Sequence, residues 1–239
     1  MKSGNPVLRD STFTDAQPGR GVMTLDGVVN KTGILILLCM VSFCYAWYQP
    51  APAMPLILAG CLGGFVVGIV TCFMPRISPY TSPVYALLEG LFLGGLSAMM
   101  ERSFPYIAAQ AAGLTFGTLV IMLTLYKTRI IRVTEGLKTA VIAATAAIAV
   151  LYFVGFILNC FGKQIPYIHS TGWIGIGFSL FVVGLASFNL LLDFDFIEQG
   201  VCNGAPKYLE WYAGFSLLVT LVWLYLELLR LLAKLRGRD

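Results

Sequence analysis

The stretch that decides the fold is Gly172–Glu198, GWIGIGFSLFVVGLASFNLLLDFDFIE, an apolar run that ends with two aspartates, Asp193 and Asp195. The longer run from Gln164 to Leu192 contains no Asp, Glu, Lys or Arg over 29 residues. A helix through it would carry both carboxylates into or beside the hydrocarbon of a bilayer, where a charged group costs roughly 3 kcal/mol or more. Chains keep such groups where they face a bundle interior, a partner or water. Acidic groups at this depth suit cation passage, proton sensing or a buried ion pair.

The composition of the whole chain is typical of an integral membrane protein. Hydrophobic residues make up 58% of the 239, and only 12% are charged, about half the usual fraction for a soluble domain. The net charge of +4 comes from clusters in the loops and at the two ends. We therefore interpret the charge as topology information and expect a lipid bilayer, not nucleic acid, as the surrounding partner.

Seven apolar segments are long enough to cross a bilayer, which needs about 20 residues per helix. They are continuous and apolar all round, unlike the strands of a β-barrel or the helices of a soluble bundle. The predicted fold class is an all-α integral membrane protein with seven transmembrane helices. Its parts are a polar N-terminal segment (1–27), a membrane domain (28–235) and a basic C-terminal tail (236–239). The predicted spans are 32–48, 55–74, 83–100, 105–126, 139–161, 171–197 and 211–233.

Positive charge orients the predicted bundle with its N-terminus in the cytoplasm. This orientation places ten of the sixteen Lys and Arg residues inside, with the strongest cluster in the loop 126–132. The basic tail argues against it, because an odd number of spans cannot leave both basic ends in the cytoplasm. Either the tail lies in the outer interface, or the seventh helix does not fully cross. The location expected is a bacterial inner (cell) membrane.

Glycines four residues apart predict close contacts between helices, because small residues let two backbones approach in lipid. The pattern indicates how helices pack and gives no information about function. It occurs in three places: Gly60/Gly64/Gly68, Gly90/Gly94 and Gly113/Gly117.

Charged residues within the spans are few, and they are the candidates for function. Asp193 and Asp195 diverge by about 200° on a helix, so they cannot share one narrow site unless the helix ends or unwinds there. The alternative is that both are solvated at the cytoplasmic end of the span. Glu227 and Arg230 share a helix face and form either an intrahelical ion pair or part of a gate. Glu89 is either protonated or meets Arg230 or water.

The sequence argues against an enzyme. An intramembrane aspartyl protease needs two aspartates on facing helices, whereas Asp193 and Asp195 share one predicted helix. A serine protease would need a base, and His169 lies at a loop edge. The six cysteines and this one histidine have no zinc-site spacing. We therefore expect no resident cofactor, with transient Ca²⁺ at Asp193 and Asp195 as the candidate metal.

Several motifs in this order resemble the Bax inhibitor-1 family of multi-span proteins, in particular its bacterial YetJ/YccA-like members. The resemblance covers most of residues 23–235 and is strongest in the last third. The segments that carry it are Ser187–Asp193 with Phe194–Ile197, Ser216–Thr220 with Trp223–Arg230, Glu89–Gly94, and the polar head Met23–Thr32.

The resemblance implies a seven-helix fold with the last helix central, and a pH-sensitive calcium leak. In the family's characterised branch an Asp on the sixth span faces an Asp on the seventh, and an Arg near the second-to-third-span junction pairs with them. Asp193 matches the sixth-span Asp, and Arg76 matches the Arg. Arg230 matches a basic position, while Glu227 stands where relatives carry an uncharged polar residue.

This chain departs from the family pattern at Thr220, which aligns with the seventh-span Asp. Either Asp195 substitutes for the missing carboxylate, or Thr220 hydrogen-bonds Asp193. Two functional hypotheses follow. The first is a calcium-leak-type cation channel in which Asp193 offers oxygen ligands that protonation removes. The second is a non-conducting protein that binds and regulates another membrane protein.

Overall fold

The computed structural model describes residues 21–49, 54–161 and 172–237. These residues form seven long helices, each long and apolar enough to cross a membrane, and this confirms the predicted fold class. A short 3₁₀ turn, Pro75–Ile77, separates the second helix from the third. The helices are α1 (Leu25–Trp47), α2 (Met54–Phe73), α3 (Ser78–Ser103), α4 (Ile107–Lys127), α5 (Glu135–Cys160), α6 (Trp173–Cys202) and α7 (Leu209–Arg236).

The helices extend beyond the predicted spans mainly at their polar ends. α1 begins at Leu25, seven residues before the predicted start, because the Thr24 side chain accepts a hydrogen bond from the Gly27 N–H and Asp26 lies in the first turn. α6 continues through Cys202, so Asp193 and Asp195 lie within a continuous helix. Apolar length predicted the crossing portion of each helix, whereas local capping decides where the helix begins or ends.

The last helix is the centre of the bundle, as the family resemblance implies. α7 packs against α1, α3, α4 and α6, and 67% of its most apolar window is buried within the protein. α2 packs mainly against α3, and α5 packs mainly against α6. These two helices therefore turn most of their surface to the surroundings of the bundle.

Two of the three glycine patterns make the predicted close contacts. A Cβ atom at Gly60 would lie 2.5 Å from the Leu88 carbonyl oxygen, and one at Gly90 would lie 2.1 Å from that of Cys39. The prediction is wrong for Gly113 and Gly117, which are exposed on α4 and would meet nothing within 4 Å. α4 instead turns Ala111 and Thr115 inward.

The N-terminal end of the described chain is hydrogen-bonded to the connection between α6 and α7. The Met23 N–H donates to the Ala205 carbonyl oxygen, and the Lys207 N–H donates to that of Gly21. Residues 1–20 of the predicted polar segment, as well as Lys163 and His169, lie outside the described residues. α7 runs to Arg236 and so includes the first residue of the predicted tail.

The cations at the C-terminal end of α7 contact the bundle. The Lys234 ammonium donates to the Gly175 carbonyl oxygen and the Ser179 hydroxyl, and Arg236 donates to the Pro105 carbonyl oxygen and the Gln110 side chain. At 28 residues, α7 is about 42 Å long and exceeds the roughly 30 Å of a bilayer core. The helix is therefore long enough to cross a bilayer, and the side on which its basic end lies stays a prediction.

Candidate functional site

The Asp193 carboxylate lies at the interface of α6 and α7 with no exposed surface. The Thr220 hydroxyl donates to Asp193 Oδ2 at 2.6 Å, and the Ser216 hydroxyl donates to Oδ1 at 3.3 Å. Ser216 and Thr220 are four residues apart, so both hydroxyls project from one face of α7. We call these three residues the hydroxyl clasp.

The clasp lies well inside the bundle. Asp193 precedes the last residue of α6 by nine positions, which corresponds to about 14 Å along the helix axis. The hydrogen bond from Thr220 is the second of the two alternatives left open by the sequence, and it is present. The two hydroxyl hydrogen bonds join α6 to α7 through the Asp193 carboxylate.

Asp195 faces away from the clasp. Its carboxylate forms an ion pair with the Lys138 ammonium of α5 at 2.9 Å and accepts a hydrogen bond of 2.6 Å from the Gln199 side chain. The expectation that Asp195 substitutes for the missing seventh-span carboxylate is therefore wrong. The reason is the turn of about 200° between positions two apart on an unbroken helix.

The alternative that both aspartates are solvated at a helix end is wrong for Asp193 and fits Asp195 in part. Asp193 is fully buried, whereas the Asp195 side chain is 20% exposed and ion-paired. The two carboxylates diverge, with Asp193 facing α7 and Asp195 facing α5. Within the described residues, no group of three or more His, Cys, Asp or Glu side chains is arranged to hold a metal.

Arg76 does not take the place that the resemblance implies. It lies exposed in the 3₁₀ turn between α2 and α3, and among the described residues it forms no ion pair with Asp193. The Asp193 carboxylate therefore accepts hydrogen bonds from two hydroxyls, whereas the resemblance implied a contact with the Arg76 guanidinium.

A family model described as Bax inhibitor 1 like matches residues 5–237, which is nearly the entire chain. The chain belongs to the Bax inhibitor 1-like family. A comparison with curated proteins finds no matching relative. In this family member, the acidic residue of the sixth span faces Thr220 and Ser216, because the seventh span has no Asp to offer.

Glu89 lies within α3 of the Bax inhibitor 1-like bundle. It is 8% exposed, and its carboxylate interacts with the Tyr85 hydroxyl. A Cβ atom at Gly64 would lie 2.8 Å from one of its carboxylate oxygens, so Glu89 is directed towards α2. The alternative that Glu89 meets Arg230 is wrong, because Arg230 is occupied elsewhere.

Glu227 and Arg230 form the expected intrahelical ion pair, with nitrogen–oxygen distances of 3.0 and 3.2 Å. Glu227 is buried and Arg230 is partly exposed. The pair has a third member from α5, since the Tyr152 hydroxyl donates to Glu227 at 2.8 Å and accepts from Arg230 at 2.8 Å. The guanidinium also lies over the Tyr152 ring, 5.1 Å from its centroid.

Sequence reasoning missed several polar residues that join helices in this family member. Glu210, 1% exposed, accepts hydrogen bonds from Thr24 and pairs with Lys31. At the same end, Glu198 accepts from the Tyr126 hydroxyl and pairs with Arg129. All of them are predicted at polar helix ends, where solvated side chains are the usual outcome, so no signal in the sequence marked them.

Proposed function

We propose that the protein is a non-enzymatic cation channel of the calcium-leak type, whose conductance depends on the protonation of Asp193. The observation that carries the proposal is the fully buried carboxylate of the hydroxyl clasp. Charge at this depth is costly, and chains retain it mainly at ion and proton pathways. Membership of the Bax inhibitor 1-like family supports the same class of function.

The chemistry follows from what protonation does to a carboxylate. The ionised group accepts hydrogen bonds at both oxygens and offers oxygen ligands that hard Ca²⁺ prefers. The protonated acid loses the charge and becomes a hydrogen-bond donor at one oxygen. The hydroxyls of Ser216 and Thr220 must then rotate or separate, which changes how α6 is held against α7.

Thr220 stands in the clasp where the family pattern has a second carboxylate. A pair of aspartates shares protons and titrates in two coupled steps, whereas a threonine hydroxyl does not titrate in the physiological range. Asp193 is the only carboxylate of the clasp. We therefore expect Asp193 to be the titrating member of the clasp.

The test is calcium flux into liposomes that contain only this protein. Asp193→Asn retains the shape and hydrogen-bonding capacity of the side chain but removes its charge and its titration. The variant should fold and lose most of the pH dependence of the leak over roughly pH 5 to 8.

Asp195→Asn is the matched control, since it removes a carboxylate two residues away that faces α5. It leaves Lys138 with Glu135 as a second partner at 3.2 Å and should change the pH dependence much less. If Asp195→Asn abolishes the pH response and Asp193→Asn preserves it, the assignment of the sensor is wrong. If neither matters, the carboxylates are structural.

A second candidate function is that of a non-conducting regulator of another membrane protein. Gly113 and Gly117 favour it, because they leave an open small-residue face on α4 of the kind that receives a second helix. Absence of calcium flux at every pH from roughly 5 to 8, in protein shown to be folded, would decide for the regulator.

We propose a bacterial cell membrane as the location, with the N-terminus in the cytoplasm. The cations Lys31, Arg76, Arg129 and Lys138 support this orientation. Lys31 and Lys138 lie in the first two turns of α1 and α5, and Arg76 and Arg129 lie in the turns after α2 and α4. An up-and-down bundle has these helix ends on one side, and positive charge is retained in the cytoplasm.

A further inference from the structure

The inner face of α5 carries polar side chains at a regular spacing of seven residues. Lys138 pairs with Asp195 of α6, Thr145 accepts a hydrogen bond of 2.9 Å from Asn189 of α6, and Tyr152 donates to Glu227 of α7. Positions seven apart lie on one helix face, about 10.5 Å from one to the next. The three contacts therefore form a polar line about 21 Å long, most of the thickness of a bilayer core. We call this line the α5 seam.

Apolar layers separate the polar contacts of the seam. Val141 and Ile148 lie between them on the same face of α5, and both are buried against α6. Their partners there include Val182, Leu185 and Leu192. The seam is therefore a sequence of polar positions closed by hydrophobic contacts, which is the arrangement of a shut path.

α5 has the smallest contact with the rest of the described bundle. It packs mainly against α6, and only 12% of its most apolar window is buried, the smallest share among the described spans. Apolar contact gives little net attraction in lipid, because the lipid tails are as apolar as the side chains. The polar contacts of the seam consequently supply much of the attachment.

The division of charge across the seam favours cation entry when α5 moves away. The cation Lys138 and the hydroxyls of Thr145 and Tyr152 belong to α5 and leave with it. The wall that remains on α6 and α7 carries Asp195, Asn189 and Glu227, and only Glu227 retains a paired cation there, Arg230. Carboxylate and amide oxygens are suited to Ca²⁺.

We propose that cations cross along the α5 seam and that displacement of α5 opens it. The inference rests on the proposed function in that the protein conducts, but it names a different part of the molecule from the hydroxyl clasp. The clasp holds α6 to α7, and the seam opens between that pair and α5.

The test is a reversible cross-link in a variant without native cysteines. Thr145→Cys with Asn189→Cys replaces two side chains that are in contact at 2.9 Å, so oxidation should join α5 to α6. Calcium flux in liposomes should fall to a small fraction on oxidation and return on reduction. Unchanged flux in fully cross-linked protein would overturn the proposal.

The matched control joins two helices away from the seam. Thr32→Cys with Gly214→Cys is suitable, because a Cβ atom at Gly214 would lie 3.1 Å from the Thr32 hydroxyl oxygen. This cross-link between α1 and α7 should leave the flux unchanged. Equal loss of flux in both pairs would also count against the seam, since it would mean that any restraint closes the path.

Thiol accessibility separates failure of the path from failure of the proposed function. A single Thr145→Cys should react with a membrane-impermeant thiol reagent, whereas Thr115→Cys, which lines an apolar cavity of about 150 Å³, should not. If the protein does not conduct but position 145 alone reacts, α5 does move away from α6, and the proposed function as a channel is wrong. If it conducts and position 145 stays unreactive, the seam is wrong and the proposed function stands.

Discussion

α3 and α5 are both 26 residues long, yet the bundle holds them in opposite ways. α3 has the lowest mean hydropathy of the seven spans and packs against α1, α2, α4 and α7, whereas α5 has the highest mean hydropathy and packs mainly against α6. The buried share of the most apolar window is 39% for α3 and 12% for α5. Between these two helices, the more apolar one is thus the less buried.

The physical reason for this reversal is the solvent. In water, apolar residues are buried in the protein interior. In a bilayer, contact with lipid is as favourable for them as contact with protein, so small or polar residues make the specific contacts between helices. Gly90 and Gly94 let α3 approach α1 so closely that a Cβ atom at either position would collide with a backbone carbonyl oxygen of α1. α5 has no such glycine contact described and relies on the polar α5 seam.

The largest effect is expected from side-specific labelling, which tests whether α5 crosses the membrane. Lys127 and Lys163 lie on either side of α5, and it is the single span between them. In a cysteine-free variant, Lys127→Cys and Lys163→Cys should label from opposite sides, with position 127 labelled from the cytoplasm. Labelling of both from one side would contradict the seven-span map, and the reversed sides would contradict the orientation alone.

A large loss of stability is expected where α3 meets α1. Gly90→Ala places a Cβ atom 2.0 Å from the Ser42 hydroxyl oxygen and 2.1 Å from the Cys39 carbonyl oxygen. Overpacking of this kind costs about 1–3 kcal/mol or more, because the backbone of α1 must move. Thermal unfolding in detergent should show a clear drop in the midpoint.

Gly113→Ala is the control for the effect at Gly90. A Cβ atom there meets nothing within 4 Å, and alanine favours a helix by up to about 1 kcal/mol over glycine. The midpoint should stay or rise slightly. Equal losses at the two positions would mean that the contrast between packed and open glycines does not govern stability.

The smallest effect is expected from one polar contact of the α5 seam. Thr145→Val removes the hydroxyl that accepts from Asn189 and should lower the free energy of unfolding by about 0.6 kcal/mol, typical for such bonds between membrane helices. Asn189 retains its hydrogen bond to the Leu185 carbonyl oxygen, which limits the loss. Equilibrium unfolding in mixed micelles measures it.

Thr115→Val on α4 is the matched control, since that hydroxyl donates to Ala111 of its own helix. It should leave the free energy of unfolding nearly unchanged. A loss at position 145 no greater than at position 115 would show that the seam contributes no attachment, and the contrast between α3 and α5 would then rest on glycine packing alone.

Much of the candidate site was visible in the sequence as residue types, but not as pairs. A charge within an apolar run predicts a buried polar group, and Asp193 is one. Because Thr220 aligns with the seventh-span Asp, the sequence left two alternatives: Asp195 replaces that carboxylate, or Thr220 hydrogen-bonds Asp193. The packing of α6 against α7 shows that the second is correct. Glu227 and Arg230 were paired correctly because their partners are local, three residues apart on one helix.

Partners on other helices were beyond the sequence. Lys138 and Glu210 are separated from Asp195 and Lys31 by many residues, and a residue at a polar helix end is ordinarily solvated. The glycine patterns show the same limit: Gly90 and Gly113 belong to equivalent motifs, yet one meets a neighbouring backbone and the other meets open space.

The sequence by itself determined the solvent, the helical class and the seven spans, because the cost of backbone and charge in hydrocarbon acts on each segment separately. Tertiary structure decided which faces meet: Asp193 with the hydroxyls of α7, Asp195 with Lys138, and α5 against α6 through a polar seam. The physical reason is that lipid satisfies apolar surface from any direction. The rotation of each helix is therefore fixed by a few small and polar contacts whose partners lie far away along the chain.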